Sequence, residues 1–129
     1  MSSTLVHPLS ETALRERLHE RGVMAVVVVE RRADTAPLLH ALIGGGLRAV
    51  EVALRTADSL AVIEDMREAA PDLLIGAGTV LSPAQADDAR SAGADFGLAP
   101  GLDPATVRHC ADRGFPFVPG VATPTDVQT

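Results

Sequence analysis

Five times along this chain a short apolar run gives way to a turn and then to a stretch of helical period. The runs are 24–28 (MAVVV), 47–54 (LRAVEVAL), 73–77 (LLIGA), 95–98 (DFGL) and 115–119 (FPFVP), and they start roughly 20 to 26 residues apart. The first follows Gly22 and is apolar without alternation, the pattern of a strand covered on both faces. Parallel strands need crossovers of about a dozen residues or more, usually helical, and this spacing supplies them. The repeat therefore predicts a parallel sheet with right-handed βα connections.

Helix boundaries are written into the same repeat. Ser82-Pro83-Ala84-Gln85 gives an N-cap serine, a proline at the first helical position and a glutamine at the third, with Gly93 closing the helix. Asp103-Pro104 opens another, ended by Gly114, and Thr123-Pro124-Thr125-Asp126 opens a sixth, three residues before the last residue. Asp34 is read as the cap of a helix that runs out at Gly44-Gly45-Gly46, Thr56 or Asp58 as the cap of the next, and 10–21 as an extra helix ahead of the first strand.

Sheets of this kind are either doubly wound or closed into a barrel. The repeat is short and even, and no stretch has the long excursion a sheet makes where its strand order reverses, which favours the (β/α)8 TIM barrel. Such a barrel takes eight units and about 200 residues or more, whereas this chain has 129. The expected fold is α/β: residues 1–129 form a single domain, the N-terminal portion of an incomplete TIM barrel, with a leading helix and about five βα units. The alternative is a five-stranded domain with a polar tail.

Charge and composition narrow the function classes. Seventeen acidic against eleven basic residues give a net charge of −6, the wrong sign for nucleic-acid phosphates or anionic lipid. The longest apolar run, 23–29, falls far short of the roughly 20 residues of a membrane span. Neither a nucleic-acid nor a membrane partner is expected. A single cysteine, Cys110, permits no internal disulfide, no Cys/His cluster has metal-ligand spacing, and no basic residue precedes Arg15, so a cytoplasmic, unexported protein without metal is expected. All eleven bases are arginine, so the chain offers no lysine amine for covalent catalysis.

In a barrel the active site lies at the C-terminal strand ends. Glu51 lies inside the apolar run AVEVAL, where an ionised group is costly unless a task or a partner holds it. It is either a general acid/base with a raised pKa or a carboxylate paired with Arg55 or Arg48. Arg55 follows at the strand end, where a guanidinium grips a carboxylate by two parallel bonds, or is simply a surface arginine. Gly76-Ala77-Gly78-Thr79 brings a hydroxyl to the third strand-to-helix turn; it is no dinucleotide fingerprint, since Leu81 stands where the third glycine belongs. Pro100-Gly101 and Pro119-Gly120 end the fourth and fifth runs, with turn chemistry the plainer reading. His7, His19, His40 and His109 fall away from the strand ends; Cys110 reads as a small buried residue, Arg31-Arg32 as a solvated turn pair and Asp87-Asp88 as a helix face.

Four ordered motifs, Glu-Val-Ala-Leu-Arg-Thr (51–56), Ile-Gly-Ala-Gly-Thr-Val-Leu (75–81), Ala-Pro-Gly-Leu (99–102) and Val-Pro-Gly-Val-Ala-Thr-Pro-Thr (118–125), stand at the strand ends. With them the chain resembles the 2-keto-3-deoxy-6-phosphogluconate aldolases, also called 4-hydroxy-2-oxoglutarate aldolases, from about Gly22 to its last residue. The resemblance implies a cytoplasmic, homotrimeric, metal-free and cofactor-free class I aldolase of the Entner–Doudoroff pathway. Such an enzyme cleaves its phosphorylated keto acid to pyruvate and glyceraldehyde 3-phosphate through a lysine Schiff base, and 4-hydroxy-2-oxoglutarate to pyruvate and glyoxylate. It implies that Glu51 is the acid/base carboxylate, that Arg55 and Thr79 bind the pyruvyl carboxylate, and that Pro100 lines the imine pocket. The Leu-Arg-Thr ending (54–56) resembles the phosphogluconate branch more than the phosphogalactonate branch, where a Leu-Asn-Ser type turn is usual. The family's Schiff-base lysine lies on a sixth strand and its phosphate loops follow the seventh and eighth, all beyond the residues present, so the 129-residue chain alone is expected to be inactive. Two competing readings remain: an inactive half-barrel that binds a small keto acid or assembles with another chain, and a different phosphate-binding barrel enzyme, which would need other residues at 51 and 79.

Overall fold

The computed structural model describes residues 9–129. A leading helix α1 (Glu11–Arg21) precedes strands β1 (Ala25–Val27), β2 (Ala49–Ala53), β3 (Leu74–Gly78), β4 (Phe96–Leu98) and β5 (Phe117–Val118). Between them run α2 (Thr35–Gly44), α3 (Ser59–Ala69), α4 (Pro83–Ala92) and α5 (Pro104–Asp112), and α6 (Pro124–Gln128) follows β5. The strands are parallel and lie in chain order, β1-β2-β3-β4-β5. Consecutive order is that of a barrel wall; a doubly wound sheet would reverse.

The two sheet faces are covered differently. Val50, Val52, Ile75 and Ala77 point outward into a core shared with Leu39 of α2, Val62, Ile63 and Met66 of α3, Ala86 and Ala89 of α4 and Cys110 of α5. Each large apolar side chain fully buried there contributes about 1.5–3 kcal/mol. The inner face is smaller and carries α1, whose Leu14 packs on Ala49, Leu74 and Phe96. A partly buried ion pair fastens the outer layer: Arg67 on α3 donates to Asp95 before β4 (2.6 Å) and to the carbonyls of Gly93, Pro71 and Leu73, while Asp95 accepts the Ile75 N–H at 2.8 Å.

Several sequence expectations need correction. β1 is not covered on both faces: Val26 is 65% exposed and Val28, just past the strand, 47%, because β1 is a sheet edge and α1 covers the inner face only near Leu14. Asp34 and Asp58 occupy N-cap positions, yet neither side chain caps its helix. Asp34 is held by Arg31 at 2.7 and 3.0 Å, and Asp58 accepts the Arg32 N–H at 2.8 Å. Arg31-Arg32 is therefore no free solvated pair, since Arg32 also binds Asp65. Ser10, Ser82, Asp103 and Thr123 do cap their helices, Thr123 with a full reciprocal box to Asp126.

Candidate active site at the strand ends

Glu51 sits at the centre of β2, level with Val26 on one side and Gly76 on the other. Its neighbours Val50 and Val52 are fully buried in the outer core, which turns Glu51 to the inner face with Ala49. The side chain is half-buried and leans along β3 until it lies over Gly78, where a Cβ would stand 2.8 Å from Cδ and 2.9 Å from Cγ. Among the described residues no cation pairs with it. Arg48 turns back to the carbonyls of Ile43 and Leu47 at 2.9 Å each, and Arg55 is exposed at the turn. The ion-pair reading of Glu51 is thereby overturned. Burial with nothing to offset it pushes the Glu51 carboxyl above the ordinary carboxylate range.

The turn carrying Arg55 is fastened by hydroxyls. Arg55 N–H returns to Ala53 O at 2.8 Å; buried Ser59 donates to Ala53 O at 3.0 Å and accepts the Thr56 N–H at 3.1 Å; Thr56 Oγ1 lies 2.9 Å from Ser59 Oγ and donates to Val29 O at 2.8 Å. Thr56 thus ties the end of β2 to the segment after β1. Nothing in the sequence pattern marked this network, because it joins residues up to 27 apart.

Thr79 follows β3 directly and, with φ +58°, is the single non-glycine in the left-handed region among the described residues. It is clamped there by flanking sheet bonds: Leu54 N–H to Gly78 O at 2.8 Å, and Val80 N–H to Leu98 O at 3.0 Å. For a β-branched residue this backbone costs of order 1–3 kcal/mol, the kind of strain found where a side chain must be aimed. Pro100 is exposed beyond β4, and its carbonyl lies so close to Gly120 that no Cβ would fit there. The Pro100-Gly101 and Pro119-Gly120 turns therefore interlock.

Arg55, Thr79 and Pro100 thus occupy the C-terminal edges of three adjacent strands, about 4.8 Å apart from one strand to the next, and Glu51 leans toward that edge from mid-strand. The remaining sequence candidates lie elsewhere. His19 and His40 are exposed on helices, and His109 pairs with Asp87 at 2.9 Å, so Asp87 is a paired carboxylate and not a bare helix face. Burial raises the Cys110 thiol, and His7 lies outside the described residues. Among the described residues no cluster of His, Cys, Asp and Glu has metal-binding geometry, and no helix is long and apolar enough to cross a membrane. A cavity of about 660 Å³ opens between α2 and α3, lined by Ala33, Ala36, Leu39 and Ala69, on the helix side and away from the strand ends.

The family model described as KDPG and KHG aldolase matches residues 14–129. The chain belongs to this aldolase family. A 2-dehydro-3-deoxy-phosphogluconate aldolase of Treponema pallidum is 43% identical over 113 residues, 88% of this chain and 54% of the relative. The KHG/KDPG aldolase of Escherichia coli is 34% identical over 117 residues, 91% of this chain and 55% of the relative. A crystal structure of the Zymomonas mobilis aldolase with 3-phosphoglycerate superposes with a TM-score of 0.83 at 38% identity, covering 89% of this chain and 55% of that one. A Legionella pneumophila KDPG aldolase, with pyruvate captured as a covalent carbinolamine, gives 0.78 at 36% identity over 81% of this chain and 51% of that one. The fold is thus that of the family's TIM barrel, and the chain spans about half the length of the relatives it matches.

Proposed function

We propose that residues 1–129 are one domain, the N-terminal portion of a class I aldolase that cleaves 2-keto-3-deoxy-6-phosphogluconate to pyruvate and glyceraldehyde 3-phosphate. The observation that carries this reading is Glu51, a half-buried carboxylate unpaired among the described residues, raised by burial from its ordinary value and leaning to the strand ends. In such an enzyme a lysine supplied by further strands condenses with the substrate's keto group and releases water. A base removes the proton of the aldol hydroxyl; the carbon–carbon bond breaks, its electron pair enters the imine to give an enamine, and the aldehyde leaves. The enamine then takes a proton at carbon, and water hydrolyses the imine to pyruvate. In this reading Glu51 carries these protons, Arg55 and Thr79 hold the pyruvyl carboxylate, and Pro100 lines the pocket beside them. The carbinolamine of the Legionella relative supports the same chemistry.

4-Hydroxy-2-oxoglutarate, giving pyruvate and glyoxylate, is the second substrate we assign. The Arg55-Thr56 ending favours the phosphogluconate branch, and the reading extends to a cytoplasmic homotrimer acting in the Entner–Doudoroff pathway without metal or cofactor. The 129 residues contain no lysine, which favours, for this chain by itself, a half-barrel that binds keto acid without turnover. Pyruvate and borohydride should leave it without a site-directed adduct by mass spectrometry. Joined to the C-terminal strands of a family member, it should acquire both the adduct and aldol cleavage. In that completed protein Glu51→Gln should lower turnover by about 10²–10⁴, while Arg55→Ala chiefly raises the KM of the keto-acid substrate. Near-normal turnover of Glu51→Gln, or a pyruvyl adduct on the 129-residue chain that depends on Glu51, would overturn the reading.

A further inference from the structure

The register of β2 against β3 puts Gly76 opposite Glu51, yet the carboxylate does not sit there. The space above Gly76 is taken from the other side: a Cβ on that residue would stand 2.7 Å from the Phe96 ring and 2.8 Å from Leu98 Cδ1. Phe96 is fully buried, so it does not yield. Glu51 instead runs diagonally, two residues up β3, and its distal atoms occupy the volume that any side chain at Gly78 would need. A diagonal neighbour of this kind is within reach of a long side chain on an adjacent strand. Gly78 is not in the left-handed backbone region, so no turn requires a glycine there; the available explanation is space.

We propose that Gly78 is the positioning residue for Glu51, its bare Cα forming the seat that brings a mid-strand carboxylate to the strand-end rim beside Thr79. This deepens the reading of Glu51 as the proton-moving group and rests on it for its functional meaning. The two glycines of the Gly-Ala-Gly-Thr motif then have separate duties, Gly76 admitting Phe96 and Leu98 from β4, and Gly78 admitting Glu51 from β2. Substitution should affect them differently. At Gly76 a methyl group meets a packed aromatic ring, which damages the core. At Gly78 it meets the Glu51 side chain from Cγ outward, a flexible chain that swings away by turning about its Cα–Cβ bond, so the fold survives and the carboxylate moves toward water.

Infrared difference spectra of this chain over a pH series test the proposal, with the Glu51 carboxylate band identified by its loss in Glu51→Gln. Gly78→Ala should fold and shift the Glu51 midpoint down toward that of an ordinary exposed glutamate. Gly76→Ala should lower the melting temperature and leave the midpoint in place. A folded Gly78→Ala protein with an unmoved midpoint overturns the proposal. Should Gly78→Ala alone fail to fold, the pair Gly78→Ala with Glu51→Ala removes the colliding atoms. Recovery of folding then supports the seat, and continued failure overturns it. If the midpoint moves as expected while Glu51→Gln stays active in the completed protein, the seat stands and the aldolase reading of Glu51 falls.

Discussion

Ionised Glu51 is held on the inner face of β2 against the pull of water, and that has a measurable effect on stability. Its carboxyl titrates above the ordinary range in the folded chain because of burial, whereas an unfolded glutamate titrates near about 4.3. In the window between the two values the folded state binds the proton more tightly, so stability is greatest below the unfolded pKa and declines as pH rises through the folded one. Glu51→Gln removes this titration. Urea melts should therefore show the variant gaining more on the parent chain at pH 7 than at pH 4, and an equal gain at both would mean that burial does not act on the charge. That Glu51 is out of place was legible in the sequence, since a lone acid inside an apolar strand is conspicuous. Its freedom from Arg48 was not, because only the folded loop shows Arg48 spending its donors on the Ile43 and Leu47 carbonyls.

Among the elements, what the sequence made legible was what depends on near neighbours. Serine, aspartate or threonine followed by proline marks the starts of α4, α5 and α6, and these side chains bond N–H groups two or three residues on. Asp34 and Asp58 carry the same cap chemistry but are drawn off by Arg31 and the Arg32 N–H, the latter 26 residues away, a competition no local pattern contains. Arg67 is the largest omission. It joins α3 to the end of α4 and the start of β4, and glycine is needed at 93, where a Cβ would stand 2.9 Å from Arg67 Cγ. Removing the arginine leaves the Asp95 carboxylate, 14% exposed, without its cation and with only the Ile75 N–H, and takes a donor from the part-buried Gly93 and Leu73 carbonyls. Arg67→Ala should cost about 3 kcal/mol, read from denaturant midpoints. A loss under about 1 kcal/mol would place it with ordinary surface pairs.

At the scale of the molecule, β1 and β5 each have a strand on one side only among the described residues, and Val26, Val28 and Val118 are 65%, 47% and 43% exposed. Apolar, uncharged edges of this kind are templates for pairing with another chain. The 129-residue chain should therefore self-associate, its weight-average mass by light scattering rising with concentration; a monodisperse monomer with a cooperative melt would contradict this. The strand order was legible because the repeat is even, whereas the exposure of β1 was not, since a run of valines reads alike whether or not a further strand lies beside it. The consecutive order also bears on synthesis. Apart from α1, the principal contacts join each unit to the one just before or after it: β1 to β2, α2 to α3, and so on to β5. Long-range closure is what slows most parallel sheets, and a neighbour-to-neighbour plan postpones it. In a nascent chain built this way, the neighbour that each new unit pairs with has already been synthesised when that unit emerges from the ribosome.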